Sequence, residues 1–344
     1  MLDRLRASNC PPLCTITFDL GEFSLSGSPP PANGVAEGYA PLRTVLDKML
    51  VDAATEAGVE LRENFPVHQL LREGEHVSGI RGHTKAGKAI TELARIVIGA
   101  DGVNSVVARA VDAETYNVRP ALTRWYAAHW SGVPIDGVAF YLRNRRTIVG
   151  CYTNDGLTVV LTSCPHDEFG RFRADVEGNY YKTLELVPEL AERVRAGRRE
   201  ERFIGTSSTA NFFRKPYGPG WALVGDAGYH KDPSTAQGIS DSFRDAELLT
   251  EAVDQGFSER QTLEEALAEY ERQRNASVMA MYDFTVQLAN IAEPPTPQMQ
   301  QLLFALQGNQ EQIDRLLGAW AGAVPISEFF APESIERIVT AARR

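Results

Sequence analysis

The stretch GWALVGDAGYHKDPSTAQGI, residues 220–239, joins an apolar run, a Gly-Asp pair, a proline-containing loop and a Gln-Gly pair that opens a new segment. The run from Trp221 to Val224 reads as a buried strand. Asp226 then falls just past its C-terminal end, where ligands bind in open α/β sheets. Pro233 fixes the entry to the loop. Thr235, Ala236, Gln237 and Gly238 offer backbone N–H groups at a helix start. Such a terminus carries about half a positive charge, and small side chains let an anion approach it closely. A carboxylate at a strand end followed by this row of small residues suits a large anionic cofactor.

A second junction of the same kind lies upstream. In VIGADGVNSVVARAV, residues 97–111, the apolar run Ile96–Ile98 suits a strand buried on both faces. Asp101 sits past its end, Gly102 can take a turn conformation closed to bulkier residues, and Ser105 is placed to cap the helix that follows. Either turn alone is a common strand-to-helix connection. Two in order, 125 residues apart from Asp101 to Asp226, with a different kind of sheet between them, point to one site.

The segments around these turns are ordered by period. The first 35 residues, rich in Pro and Gly, read as loop. Leu46, Met49, Leu50, Ala53 and Ala57 form a helical stripe that Gly58 stops. VELRE, from Val59, alternates as a strand does, and residues 66–100 read as a meander of short strands with turns at REGEH and KAGK. Between residues 120 and 164, four aromatic or β-branched runs predict antiparallel sheet. There Tyr126, Ala128 and Trp130 share one face and Trp125 and His129 the other; these faces read as sheet core, with one of them as a substrate-pocket wall the alternative. Residues 165–200 read as helical, RFIGTSSTANFF as a strand, and Ile239, Phe243, Ala246, Leu249 and Val253 as the apolar stripe of a further helix. A long helix follows before EPPTP breaks the chain, and the tail is helical.

Composition narrows the function. The 344 residues include 43% apolar and 23% charged side chains, the balance of an ordinary globular chain. A net charge of −10 argues against nucleic acid as a partner, since phosphate binding needs a basic face. The densest basic patch, Arg143, Arg145 and Arg146, reads as a solvated hairpin end. No apolar run approaches the roughly 18 residues of a membrane span. Cys10, Cys14, Cys151 and Cys164 lack metal-type pairing, so free thiols in a reducing cytoplasm are expected. The group Cys164, His166, Asp167 and Glu168 reads as a helix start with Pro165 and acids in its first turn rather than as a metal site.

The two turns resemble the inner cofactor motifs of the para-hydroxybenzoate hydroxylase-like FAD-dependent monooxygenases. Gly99, Ala100, Asp101, Gly102 and Ser105 match the family's G-A-D-G-x-x-S turn. Gly225, Asp226, Ala227, Pro233, Gln237 and Gly238 match its longer G-D-A…P-x-x-G-Q-G stretch, and Arg43 with Leu46 matches its R-x-x-L helix start. The resemblance spans roughly residues 36–285. It implies that Asp226 accepts from sugar or ribityl hydroxyls of FAD. Gln237, Gly238 and Ile239 would offer N–H groups near the pyrimidine edge or the pyrophosphate. Arg43 would lie along the phosphate or ribityl chain, and Asp101 would build its turn in the same region, with a role toward the nicotinamide cofactor. In that family NAD(P)H reduces FAD and oxygen is delivered to an organic substrate, here expected to be small to medium and hydrophobic.

The expected fold is α/β (α+β): an incomplete Rossmann-like FAD-binding domain, an inserted antiparallel sheet and C-terminal helices. Its expected parts are a partial FAD-binding domain at 1–119, a substrate domain at 120–218, a returning FAD-binding segment at 219–290 and a helical tail at 291–344. Three departures stand out. Tyr229 replaces the usual His, and Ala236 the usual Gly. No G-x-G-x-x-G occurs anywhere in the chain, so the first βαβ unit of the family is read as absent, with weak or no FAD affinity expected for this chain alone. Three readings stay open: a hydroxylase, a truncated non-catalytic remnant or half of a split flavoprotein that does not hold FAD alone, and a flavin-dependent double-bond reductase of the same fold. No side-chain catalyst is assigned. Tyr229 and His230, beside the loop, are the weakest site candidates.

Overall fold

The computed structural model describes residues 1–206 and 210–342, and the chain divides into two compact units. The first contains residues 1–59, 122–208 and 290–344. Its centre is an eight-stranded sheet. The four predicted runs appear as Thr123–Ser131, Val138–Arg143, Arg146–Tyr152 and Thr158–Pro165; the last three form an antiparallel meander, and the first pairs antiparallel with the fourth, so that Val160 stands opposite Ala128 and Thr162 opposite Ile148. One face buries Tyr126, Ala128 and Trp130 against Phe172, Tyr180, Leu184 and Leu190 of the helices that follow, so these three aligned residues are sheet core.

The amino-terminal region departs from its loop reading. Ile16–Asp19 and Ser24–Gly27 are strands; the first pairs parallel with Val138–Arg143, placing Phe18 beside Phe140. Each strand has only four residues and a single buried apolar side chain, Phe18 or Leu25, too little for a period to register. Tertiary pairing makes them strands, and Trp320 of the helix Gln310–Ala321 packs edge-on against Phe18 and Phe140. The predicted helix is Arg43–Glu56, with Gly58 in the left-handed region at φ 93° just past its end. VELRE forms no strand, and Val59 and Leu61 are exposed, having no partner strand to alternate against. Arg143 pairs with Asp19, and Arg145 and Arg146 with Glu168, so the basic patch is ion-paired and partly buried rather than solvated.

The second unit contains residues 60–121 and 209–289. It holds three sheets of three strands among the described residues. The predicted meander is Val67–Glu73, His76–His83 and Ala89–Leu93. The strand read into RFIGTSSTANFF is two strands: Ile204–Gly205 belongs to the first unit's sheet, paired with Thr123–Ser131, and Asn211–Arg214 to the second unit, while residues 207–209 lie outside the described residues. Val97–Gly99 and Trp221–Leu223 run parallel, with Gly99 opposite Leu223. The helices Gly238–Phe257 and Leu263–Ala289 pack on the second of these strands through Ala222, Leu249, Ala252, Ala266, Leu267 and Tyr270, and the Tyr270 hydroxyl donates to the Leu223 carbonyl at 2.9 Å. Val97–Gly99 ends its sheet, and Ile98 faces outward, 44% exposed, so burial on both faces does not hold there.

Candidate active site

Parallel pairing brings the two sequence turns together. Gly99 and Leu223 are opposite each other, and Val224 N–H donates to the Gly99 carbonyl at 3.0 Å. Both chains therefore leave the sheet at the same end, and both turn immediately after an aspartate or glycine. Gly102 is left-handed at φ 72°, as the turn reading requires. Gly225 is left-handed at φ 58°, and a Cβ there would stand 2.8 Å from the Ser242 Oγ, so close approach of the helix demands glycine as well.

The two aspartates have different work. The Asp101 carboxylate accepts from Val106 N–H at 2.6 Å and Val107 N–H at 3.2 Å, while Ser105 accepts from Ala108 N–H. Asp101 thus caps the short helix Val106–Ala110. Asp226 is half-exposed, and its nearest ionic neighbour is His230, with Nδ1 at 3.4 Å. Its oxygens remain available to hydroxyl donors. Pro233 opens a single helical turn that Asp232 caps through Ser234 N–H at 3.0 Å, and Thr235 meets Thr285 hydroxyl to hydroxyl at 2.9 Å. Ala236 is left-handed at φ 56°, the conformation that explains why glycine suits this position.

Among the described residues, no side chain caps the start of the helix Gly238–Phe257. A Cβ on Gly238 would meet open space. Beside this start the predicted apolar stripe fails in its first turns. Ile239 and Phe243 are 43% and 47% exposed, and the side that is buried there carries Asp241 and Asp245. An uncapped helix start, two exposed apolar side chains and an available carboxylate occur together.

A charged network that sequence reading missed underlies this loop. Lys231 is buried and donates to the Asp241 carboxylate and, at 3.0 Å, to the Tyr229 hydroxyl. Arg244 donates to the other Asp241 oxygen at 2.6 Å. Burial holds the Lys231 ammonium below its ordinary range and pushes the Tyr229 phenol up. Asp245 is fully buried, neither carboxylate oxygen has a hydrogen-bond partner among the described residues, and burial pushes its carboxyl up to about 6. Tyr229 packs with Phe213, Val278 and Tyr282, so it belongs to the core rather than to an open site.

Two arginines fasten the turns. Arg214 donates to the Ala227 carbonyl at 2.8 Å and the Val103 carbonyl at 3.3 Å, tying one turn to the other. Arg274, fully buried, donates to the Gly228 carbonyl at 3.2 Å and to the Tyr116 hydroxyl at 3.1 Å. Arg43, in the first unit, is exposed and pairs along its own helix with Asp47 at 3.0 Å. Among the described residues no cluster of three metal-ligating side chains occurs, and Glu168 is engaged by Arg145, Arg146 and Arg171.

The two turns thus lie side by side at the ends of parallel strands, next to the start of the helix Gly238–Phe257. The sequence model of the FAD binding domain matches residues 40–285, and the chain belongs to that family. The digeranylgeranylglycerophospholipid reductase 1 of Methanococcoides burtonii is 28% identical over 258 residues, covering 71% of this chain and 59% of the relative. The chain thus spans about three fifths of the length of such curated relatives. Among solved structures, the FAD-dependent chondrochloren halogenase of a myxobacterium superposes with a TM-score of 0.77 at 17% identity, over 99% of this chain and 83% of that one. PqsL of Pseudomonas aeruginosa, described as a probable FAD-dependent monooxygenase, gives 0.66 at 18% identity, over 93% and 84%. These likenesses show the fold: a mixed α/β FAD-binding architecture with C-terminal helices. The resemblance read from the two turns holds. Among the described residues, no helix is long and apolar enough to cross a membrane.

The site residues suit FAD on chemical grounds. The uncapped helix start matches an anionic group, Asp226 matches hydroxyl donors, and exposed Ile239 and Phe243 match an apolar ring system.

Proposed function

We propose that the chain is the core of an FAD-dependent monooxygenase that takes electrons from NAD(P)H and acts on a small to medium hydrophobic substrate. The observation that supports this most is the side-by-side exit of the Asp101 and Asp226 turns toward an uncapped helix start. Asp226 would hold the cofactor's hydroxyls. The N–H groups of Gln237, Gly238 and Ile239 would face its negative charge, a preorganised arrangement that needs no reorientation when charge develops. Gly102, Gly225, Pro233 and Ala236 shape the two turns, and Asp101 keeps the first one closed. When bound, FAD would supply the hydride-accepting redox chemistry of the reaction.

A second reading, reduction of carbon–carbon double bonds, draws support from the relatives named as digeranylgeranylglycerophospholipid reductases. FAD titration of the purified chain, followed by flavin fluorescence, tests the shared premise. Weak saturable uptake that Asp226→Ala lowers further supports it; no uptake by the unaltered chain favours instead the remnant or split flavoprotein that does not hold FAD alone. With flavin loaded and NADPH supplied, oxygenated product in air supports the first reading. Anaerobic saturation of an isoprenoid double bond supports the second.

A further inference from the structure

We propose that Lys231 is a positioning residue of the cofactor loop, holding residues 232–237 in the shape that presents the N–H groups of the following helix; this rests on reading residues 225–239 as that loop. The ammonium is reached from both ends of the segment. Tyr229, two residues before it, contributes a hydroxyl at 3.0 Å, and Asp241, in the first turn of the helix Gly238–Phe257, contributes a carboxylate. Asp241 also donates its own N–H to the Gln237 carbonyl at 2.9 Å. One buried charge therefore clamps the start of the loop to the helix it feeds.

The segment between needs such a clamp. It contains left-handed Ala236, a conformation that an alanine leaves readily when nothing enforces it. Local bonds within the loop are short in span: Ala236 N–H to the Pro233 carbonyl at 2.9 Å, and Ser234 N–H to Asp232 at 3.0 Å. Asn211 accepts from Asp232 N–H at 2.5 Å and anchors one point from outside. Lys231 supplies the contact to the helix itself.

Stability alone is a poor reason for this pair. Desolvating an ammonium and a carboxylate offsets most of their attraction, and well-packed apolar replacements are often as stable or more so. What a buried, directional pair does supply is a single geometry. The charged groups around Lys231 are Asp241, Arg244 and Asp245 on the first helix, with Arg274 facing Asp245 from the next. Because Arg244 also bonds Asp241, removing the lysine does not strand that carboxylate without a cation.

The test pairs Lys231→Met with the double variant Lys231→Met/Asp241→Asn, each measured for FAD dissociation constant, melting temperature and hydrogen exchange without FAD. A positioning role predicts an affinity loss of roughly tenfold or more, since small misplacements of aligned groups are costly. It predicts an unchanged or higher melting temperature in at least the double variant, and faster exchange at the Ser234, Ala236 and Asp241 amides. Unchanged affinity, or affinity and melting temperature falling together in both variants, overturns it. If the unaltered chain takes up no FAD, the cofactor-loop reading fails on its own. The exchange data then decide the clamp: faster exchange at those three amides sustains it, and unchanged protection overturns it.

Discussion

Replacing Asp245 by asparagine should change how stability depends on pH. The carboxyl is fully buried, neither oxygen accepts a hydrogen bond among the described residues, and burial raises it from 3.8 to about 6 against the opposing pull of Arg274 and Arg244. A raised carboxyl binds its proton more tightly in the folded than in the unfolded chain. Folding is therefore favoured while the group is protonated, and stability falls as pH rises from the unfolded value through the folded one. Fully deprotonated, the group costs about 3 kcal/mol at 1.36 kcal/mol per pKa unit. Most of that change, about 2 kcal/mol, falls between about pH 4.5 and about pH 7.5. Asparagine does not titrate, so its own packing cost is constant over this range. Urea unfolding of both proteins across the window should show the variant gaining on the unaltered chain by about 2 kcal/mol toward the alkaline end. A difference between them that stays flat with pH would refute the argument, because it would mean Asp245 does not carry the buried charge.

Two further substitutions probe the backbone of the turns. Ala236→Gly should raise stability by about 1 kcal/mol in urea unfolding, since glycine takes the observed φ of 56° without the steric cost an alanine bears; a loss of stability would show that the loop does not hold this conformation. Gly225→Ala should do the reverse, by about 2 kcal/mol or more, because a left-handed φ of 58° is combined with a Cβ only 2.8 Å from the Ser242 Oγ. A melting temperature equal to that of the unaltered chain would refute the close approach of helix and turn.

Much of the fold was legible because its signals are local. Four aromatic and β-branched runs between residues 120 and 164 became four antiparallel strands, and helical stripes at 43–56 and 263–289 became helices. Failures came where local pattern and tertiary setting disagree. Ile16–Asp19 and Ser24–Gly27 carry too few apolar residues to be read as strands, yet partners beside Val138–Arg143 and the tail helices make them so. VELRE alternates correctly and finds no partner strand. Ile239 and Phe243 continue a helical stripe with Leu249, but the helix turns a different face inward in its first turns, because the buried side there is occupied by the Asp241 and Asp245 network.

The site divides in the same way. Its two turns could be seen because a strand end, a glycine, an aspartate and a capping serine are neighbours in sequence, each with a conformational reason to be there. What holds the turns could not be seen, because the fastenings either join segments far apart or depend on burial. Arg214 reaches back to Val103, and Arg274 reaches Gly228 from the helix Leu263–Ala289, 46 residues on. Lys231 sits inside the quoted motif and still reads as a loop lysine, since nothing near it in sequence announces that Asp241 waits ten residues on beneath a buried surface. A charge shows its role only when its desolvation is known, and desolvation is a property of the folded chain. The half-exposed Asp226 and the Asp101 consumed by its own turn are the same residue type past the end of a strand; their partners, not their motifs, tell them apart.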